Sequence, residues 1–201
     1  MGIVSIVCRA LLCVVIVAAP MLVNAKSKRV SVKIDRRAVS FLGDCAGKVR
    51  AKRDGSITIN LNDAFLIESL ETARQRKICL IKLSMSIPEG WQMAISEIEF
   101  SGIADIQESG KGELALRHRF TGTAGAAAAK EIGHTGSMED FQIKRSFKVI
   151  DSSYSPCGGK VQFKTSLTAQ VVKGAIAISE GGGGAASIVY HSTFRESHPD
   201  R

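Results

Sequence analysis

Few residues in this chain are of types that do chemistry, and their spacing limits what they can be. Four histidines are present, His118, His134, His191 and His198. None sits in H-x-H or H-E-x-x-H, so metal-assisted hydrolysis has no motif behind it. A G-x-S-x-G elbow is absent, and the run Gly181-Gly182-Gly183-Gly184 lacks the Lys-Ser/Thr of a phosphate loop. That run reads as a linker. Glu97, Glu99 and Asp105 are the carboxylates from which an acid/base pair could be assembled. Glu97 and Glu99 share a strand face if no bulge intervenes, and a solvent-facing strand surface is the simpler reading. His118 falls on an apolar strand face, where a hydrogen-bonded core imidazole is expected. His134 falls in a Gly/Ala loop, and His191 and His198 in a frayed tail. No metal site and no cofactor is indicated.

The cysteines point to a compartment rather than to a reaction. Cys8 and Cys13 lie in the first 25 residues, leaving Cys45, Cys79 and Cys157 in the rest of the chain. An odd number permits one disulfide and one leftover thiol, and in an oxidising compartment a bridge is the default. A Cys79–Cys157 bridge would close a long loop and contribute about 4–5 kcal/mol by chain entropy; the other pairings stay open. Separations of 34 and 78 positions do not resemble the close pairs of zinc sites. A Cys–His nucleophile pair has no local mark.

The segments that must position these residues follow a period of two. Residues 49–53 and 56–61 flank Asp54-Gly55, which predicts a hairpin with a type I′ turn. In residues 78–87, Cys79, Ile81, Leu83, Met85 and Ile87 alternate with more polar positions, and Pro88-Glu89-Gly90 closes the strand. Trp91, Met93 and Ile95 begin the next strand, but the apolar phase then moves to Ile98 and Phe100, which predicts a bulge near Ser96. Strands are also expected at 114–120, 141–149, 161–171 and 175–178, with a short edge strand at 188–190. Residues 63–76 are helix-prone, and the Ala-rich stretch 124–131 reads as a loop with a helical turn. The expected fold is all-β, an antiparallel β-sandwich of about 8 strands with a short helix and a Gly/Ala-rich loop.

Length and composition set the frame. The chain has 201 residues, 45% of them hydrophobic and 23% charged, which suits one globular domain. Residues 1–25 carry a single charge, Arg9, then an apolar run from Ala10 to Val23 and a Val23-Asn24-Ala25 end. That order is a secretory signal, cleaved after Ala25. The apolar run is broken by Pro20 and is shorter than the roughly 20 residues of a spanning helix; Leu12 before Cys13 is too bulky for a lipid-attachment site. No later stretch is long enough to cross a bilayer, so the mature chain is read as secreted and extracellular. It divides into a basic arm (26–42), a β-sandwich (43–179) and a Gly-rich segment with a flexible tail (180–201). The arm carries Lys26, Lys28, Arg29, Lys33, Arg36 and Arg37, and the mature formal charge is +7. A solvated arm that keeps the protein soluble is the simpler role, and contact with an anionic or glycan surface the sharper one. Nucleic acid is disfavoured, because alternation buries Phe120 and Phe147 away from Arg117, Arg119 and Lys148. Trp91, Tyr154 and Tyr190 are the rings available to face a glycan, and a lone Trp is more often core.

Three short motifs carry a resemblance. Arg76-Lys77-Ile78-Cys79, Pro88-Glu89-Gly90-Trp91-Gln92 and Tyr154-Ser155-Pro156-Cys157-Gly158 follow one another. With the Gly102-Ile103-Ala104 segment they resemble the secreted domain-of-unknown-function 4360 family. Members of that family show R-K-N-C, P-x-G-W-Q and W-S-P-C-G motifs after an earlier cysteine in a C-P-x-G setting. Ile78 stands where the family has Asn and Tyr154 where it has Trp, and Asp44-Cys45-Ala46-Gly47 lacks the proline. The resemblance spans roughly residues 43–172 and implies a secreted β-rich domain with a disulfide between two of the three cysteine motifs. It implies no activity. The function expected is a non-catalytic binding or surface-interaction module. The alternatives are a secreted hydrolase built from scattered acids and His118, and a structural extracellular protein cross-linked through its unpaired cysteine.

Overall fold

The structure, a computed structural model, describes residues 30–62, 65–70, 72–178 and 186–197. The signal segment, Lys26, Lys28, Arg29, the four-glycine run and His198 lie outside the described residues.

Among these residues the chain forms eleven strands: β1 (Lys33–Ile34), β2 (Ser40–Gly43), β3 (Gly47–Ala51), β4 (Ile57–Leu61), β5 (Phe65–Ser69), β6 (Gln75–Ile87), β7 (Trp91–Phe120), β8 (Ala126–Ile132), β9 (Glu139–Ser146), β10 (Gly159–Ile178) and β11 (Ser187–Glu196). All pairings are antiparallel. The strands make one continuous sheet that folds back on itself as a nearly closed sandwich. One layer reads β3-β4-β11, the first half of β7, and β9. The other reads β6, most of β10, the second half of β7, and β8, with β1 and β2 end to end along the free edge of β6. β5 pairs with the C-terminal end of β10.

The long strands join the layers. β7 and β10 stay paired from Phe163↔Phe120 to Ile178↔Gly102, with one irregularity between Val172 and Gly174. There Ser109 and Lys173 both adopt positive φ, and the Lys173 Nζ donates to Ser109 Oγ at 3.1 Å. Such a bulge bends and twists the ladder. Inside, the apolar faces meet: Ile57, Ile59, Ile98, Phe100 and Ile188 from one layer, Ile81, Leu83, Leu116, Phe163 and Leu167 from the other, all nearly inaccessible.

The expected bulge in β7 is present. Glu97 pairs with His191 and Ile95 with Ser192, so Ser96 is the extra residue. Its hydroxyl donates to the His191 carbonyl at 3.2 Å. The shift keeps Met93, Ile95, Ile98 and Phe100 all inward, since every one is buried.

Several expectations give way to pairing. Asp54 is not at positive φ, so the β3–β4 turn is not type I′. It is a three-residue loop in which Gly55 alone takes φ +85° and donates to the Lys52 carbonyl, while the Asp54 carboxylate accepts from the Ser56 N–H and hydroxyl. Residues 65–69 are strand, not helix: Phe65 and Ile67 alternate inward against β10, and this tertiary burial outweighs the helix propensity of the segment. The Ala-rich stretch is β8, paired with β7 from Ala126↔His118 to Ile132↔Gly112. Alanine suits either face, which hid its alternation of buried Ala128 and Ile132 with exposed Ala127 and Ala129. Residues 188–190 belong to β11, a central strand between β4 and β7 rather than an edge. Lys33 and residues 40–42 of the basic arm are paired with β6.

The bridge is Cys45–Cys79, with Cα atoms 5.5 Å apart, and Cys157 is exposed and free. It ties the β2–β3 connection to buried Cys79 on β6. With 34 positions between the cysteines, the chain-entropy gain is about 4 kcal/mol. Alkylation of a chain that starts at Lys26 is therefore expected to block one thiol before reduction and three after. Cys45→Ala should lower the unfolding free energy in urea by about 3–4 kcal/mol, and Cys157→Ser should leave it unchanged.

Candidate functional site

The outer face of the β6–β10–β7 layer is set by register. Lys82 on β6 lies directly opposite Lys164 on β10, and Lys164 directly opposite Arg119 on β7. Directly paired residues point to the same side of the sheet, so the three cations form one row across the strands. Neighbouring strands lie about 4.8 Å apart, which puts the ends of the row roughly 10 Å from each other. Two residues along, the next row is Leu42, Leu80, Ser166, Arg117 and Ala127. In the other direction lies a row of Lys33, Ser86 and Lys160. Lys33, Lys82, Arg117, Arg119 and Lys160 are exposed and Lys164 is half-buried.

No acid stands in these rows, and among the described residues none of Lys82, Arg117, Arg119 and Lys164 makes an ion pair. Like charges directly opposite one another destabilise a sheet by a few tenths of a kcal/mol to about 1 kcal/mol per pair. This face keeps that repulsion. A groove of about 580 Å³ lies over it, lined by Leu80, Lys82, Arg117, Arg119, Lys164 and Ala127 among others.

The opposite treatment of charge is seen on the other layer. Glu97 and Glu99 do share a face, because the bulge at Ser96 precedes both. His191, which the sequence reading left in the tail, sits opposite Glu97 on β11. Its Nε2 is 3.9 Å from a carboxylate oxygen of each glutamate. Lys144 Nζ is 3.2 Å from Glu97, Ser146 donates to Glu97 at 2.9 Å, and Gln142 donates to Glu99 at 2.7 Å. The Ser146 hydroxyl, then Lys144, hold the Glu97 carboxyl below the usual range, whereas a general acid needs the reverse. One donor atom from each of Glu97, Glu99 and His191 falls within 4.8 Å of the others, but Lys144 already pairs with Glu97. Asp105 is exposed on β7, six residues beyond Glu99.

His118 is on the inner face of the sheet, so the structure does not bring it together with these acids. Its ring packs edge-on against Phe147 and Tyr190 and stacks on Phe163, with centroids 5.1, 5.7 and 6.0 Å away. The imidazole is core, as expected, but its Nδ1 has no hydrogen-bond partner. Burial pushes its pKa down to about 4, so the ring is neutral at pH 7. Tyr190 is fully buried beside it and is not a glycan platform. Thr165 donates to the Arg117 carbonyl at 3.0 Å, so the Tyr190 hydroxyl donates to Thr165 Oγ1 at 2.6 Å. His134 is held by the Ile106 carbonyl, 2.8 Å from its Nδ1.

Trp91 and Tyr154 stand at one end of the sandwich and are both half-buried. Trp91 packs against the core. The Arg195 guanidinium lies 3.8 Å above the Tyr154 ring, with Nε on Gln92 and Nη1 on Asp151. The two motifs that contain these rings are bonded to each other. Ser155 N–H donates to the Met93 carbonyl at 2.8 Å, Met93 N–H to Ser155 Oγ at 3.0 Å, Gln92 to the Ser155 carbonyl at 2.9 Å, and Gly158 N–H to the Trp91 carbonyl at 2.9 Å. Gly158 takes φ +55°, and a Cβ there would come 3.0 Å from the Glu89 Cα.

Comparison with known proteins adds one family. The profile described as a domain of unknown function (DUF4360) matches residues 44–196. No curated protein matches the chain. Solved structures that align with it include the enzymatically active domain of bacteriophage CBA120 tailspike protein 4, at 7% identity and TM-score 0.30 over 81% of this chain and 20% of that one. TmCBM61 in complex with beta-1,4-galactotriose aligns at 11% identity and TM-score 0.25, over 85% and 90% of the two chains. An exo-beta-agarase aligns at 11% identity and TM-score 0.24, over 81% and 23%. The chain thus spans a small part of the tailspike and the agarase, and at these TM-scores the alignments carry no functional argument. No helix among the described residues is long and apolar enough to cross a membrane.

The buried His118 generates a pH prediction. Its folded pKa, about 4, lies below the ordinary 6.5, so between those values the unfolded chain binds a proton that the folded chain refuses. Its contribution is fully present above pH 6.5 and is lost as pH falls toward 4, by up to about 3 kcal/mol. Urea unfolding across that window should show this slope, and His118→Phe should flatten it. Parallel profiles for the two proteins would count against the assignment.

Proposed function

The chain belongs to the DUF4360 family, which carries no activity to inherit, and we propose that it is an exported, non-catalytic binding module for an anionic polymer. The observation that carries this reading is the uncompensated row Lys82–Lys164–Arg119 beneath an open groove. Folding alone favours placing acids among such cations, as the Lys144–Glu97 pair illustrates on the other layer. A cationic row with no acid in it is at its most stable when a ligand supplies the negative charge. Export follows from the signal-like first 25 residues, and the mature formal charge of +7 favours encounter with anionic surfaces.

The test is equilibrium binding of the chain from Lys26 to a soluble acidic polymer at rising sodium chloride. Affinity should fall linearly on a log–log plot as counterions are recaptured. The double variant Lys82→Glu/Lys164→Glu should bind at least about tenfold more weakly and with a shallower slope. Binding that ignores both salt and the double substitution would remove the basis of the proposal.

A second reading is favoured by the exposed thiol of Cys157, which lies against the Ser197 hydroxyl. A structural protein cross-linked through that thiol should run as reducible dimers after oxidative export, and Cys157→Ser should abolish them.

A further inference from the structure

Resting on the anionic-polymer reading above, we infer that the ligand is an acidic polysaccharide with one carboxylate per sugar, lying across the strands of β6, β10 and β7. Three features of the face select this class.

The first is the direction and pitch of the charge. Lys82, Lys164 and Arg119 are successive cross-strand neighbours, so the cations repeat at the strand spacing of about 4.8 Å along a line perpendicular to the strands. A pyranose unit in an extended chain has a similar length. A chain with one carboxylate per sugar can therefore present consecutive charges to consecutive strands.

The second is the apolar pair beside the charge. Leu42 and Leu80 are 45% and 41% exposed and lie opposite each other. Their row runs parallel to the cation row and continues through Ser166 and Arg117 to Ala127 on β8. The offset between the rows is two residues, about 7 Å. A hexuronate has a matching asymmetry, with a carboxylate on one edge and a C–H ring face beside it. Inorganic polyphosphate has the charge without the apolar face.

The third is what the face lacks. No aromatic side chain stands in these rows, since Phe120 and Phe163 at the same end of the strands are buried inward. Single-stranded nucleic acid draws much of its affinity from bases stacked on exposed rings, and none is offered here. Lys33 and Lys160, in line two rows away, extend the positive field without adding a stacking surface.

The experiment is a calorimetric titration of the chain from Lys26 with four probes in one buffer: polygalacturonate, its methyl ester, oligo-dT and phosphatidylglycerol vesicles. Wild type should bind polygalacturonate at least about tenfold more tightly than the ester or oligo-dT. Lys164→Glu should weaken polygalacturonate and oligo-dT alike. Leu80→Ser, at an exposed position and with its fold checked by circular dichroism, should weaken polygalacturonate several-fold and leave oligo-dT unchanged. Equal binding of polygalacturonate and oligo-dT, with no effect of Leu80→Ser, would overturn the polysaccharide and leave the anionic-polymer reading standing. Preference for vesicles would overturn it in favour of a lipid surface. Failure to bind any of the charged probes would remove both.

Discussion

The ladder between β7 and β10 is the constraint from which the rest of the molecule follows. It runs antiparallel from Phe163↔Phe120 to Ile178↔Gly102, and its 30- and 20-residue strands are the longest among the described residues. Because backbone polar groups cannot be left unpaired in the interior, five strands attach directly to the free sides of this pair, and β1, β2, β3 and β4 build outward from those. β6 and β5 take the outer side of β10, while β11, β9 and β8 take the remaining sides of β7. Irregularities at Ser96 and at Lys173 keep the apolar phase inward while the ladder turns from one layer to the other. A slip of one residue anywhere along it would turn Phe163, Leu116 and Leu167 outward.

Two kinds of staple secure the ends. The Cys45–Cys79 bridge fixes the β2–β3 connection on β6. At the opposite end of that strand, the turn before Trp91 is clasped by the Ser155–Gly158 segment through backbone bonds that mimic a further strand pairing. The short motifs that mark the family thus do architectural duty: one cysteine motif supplies the bridge, and the other two bind each other. Inside, the Tyr190–Thr165 hydrogen bond crosses between the layers and satisfies the only hydroxyl on that ring.

Charge is handled differently on the two outer surfaces. Lys144 and Ser146 hold Glu97, Gln142 holds Glu99, and His191 lies beside both, so that surface sets cations and donors among its acids. On the β6–β10–β7 face the rows through Lys82 and Arg117 gather cations without an acid, and the acids Glu113 and Glu131 stand further along the strands. Exposed ion pairs contribute little to stability, so the difference between the surfaces matters less for folding than for what each can attract.

The sequence by itself determined the fold class, because a period of two survives in strands that each bury one face: Cys79 to Ile87 and Leu114 to Phe120 are legible without any partner. The bulge at Ser96 was legible for the same reason, as a break in phase. The odd cysteine count made one bridge and one free thiol expected, and the family motifs were readable as short strings. Tertiary structure decided everything that depends on which strand lies beside which. Ala126–Ile132 and Phe65–Ser69 became strands because open edges of β7 and β10 needed hydrogen-bond partners, which local propensity cannot register. His191 joined Glu97, and Cys45 rather than Cys157 met Cys79, through register alone. The row Lys82–Lys164–Arg119 draws one residue from each of three strands, and the spacing of these residues along the chain carries no trace of the few ångströms that separate them in the sheet.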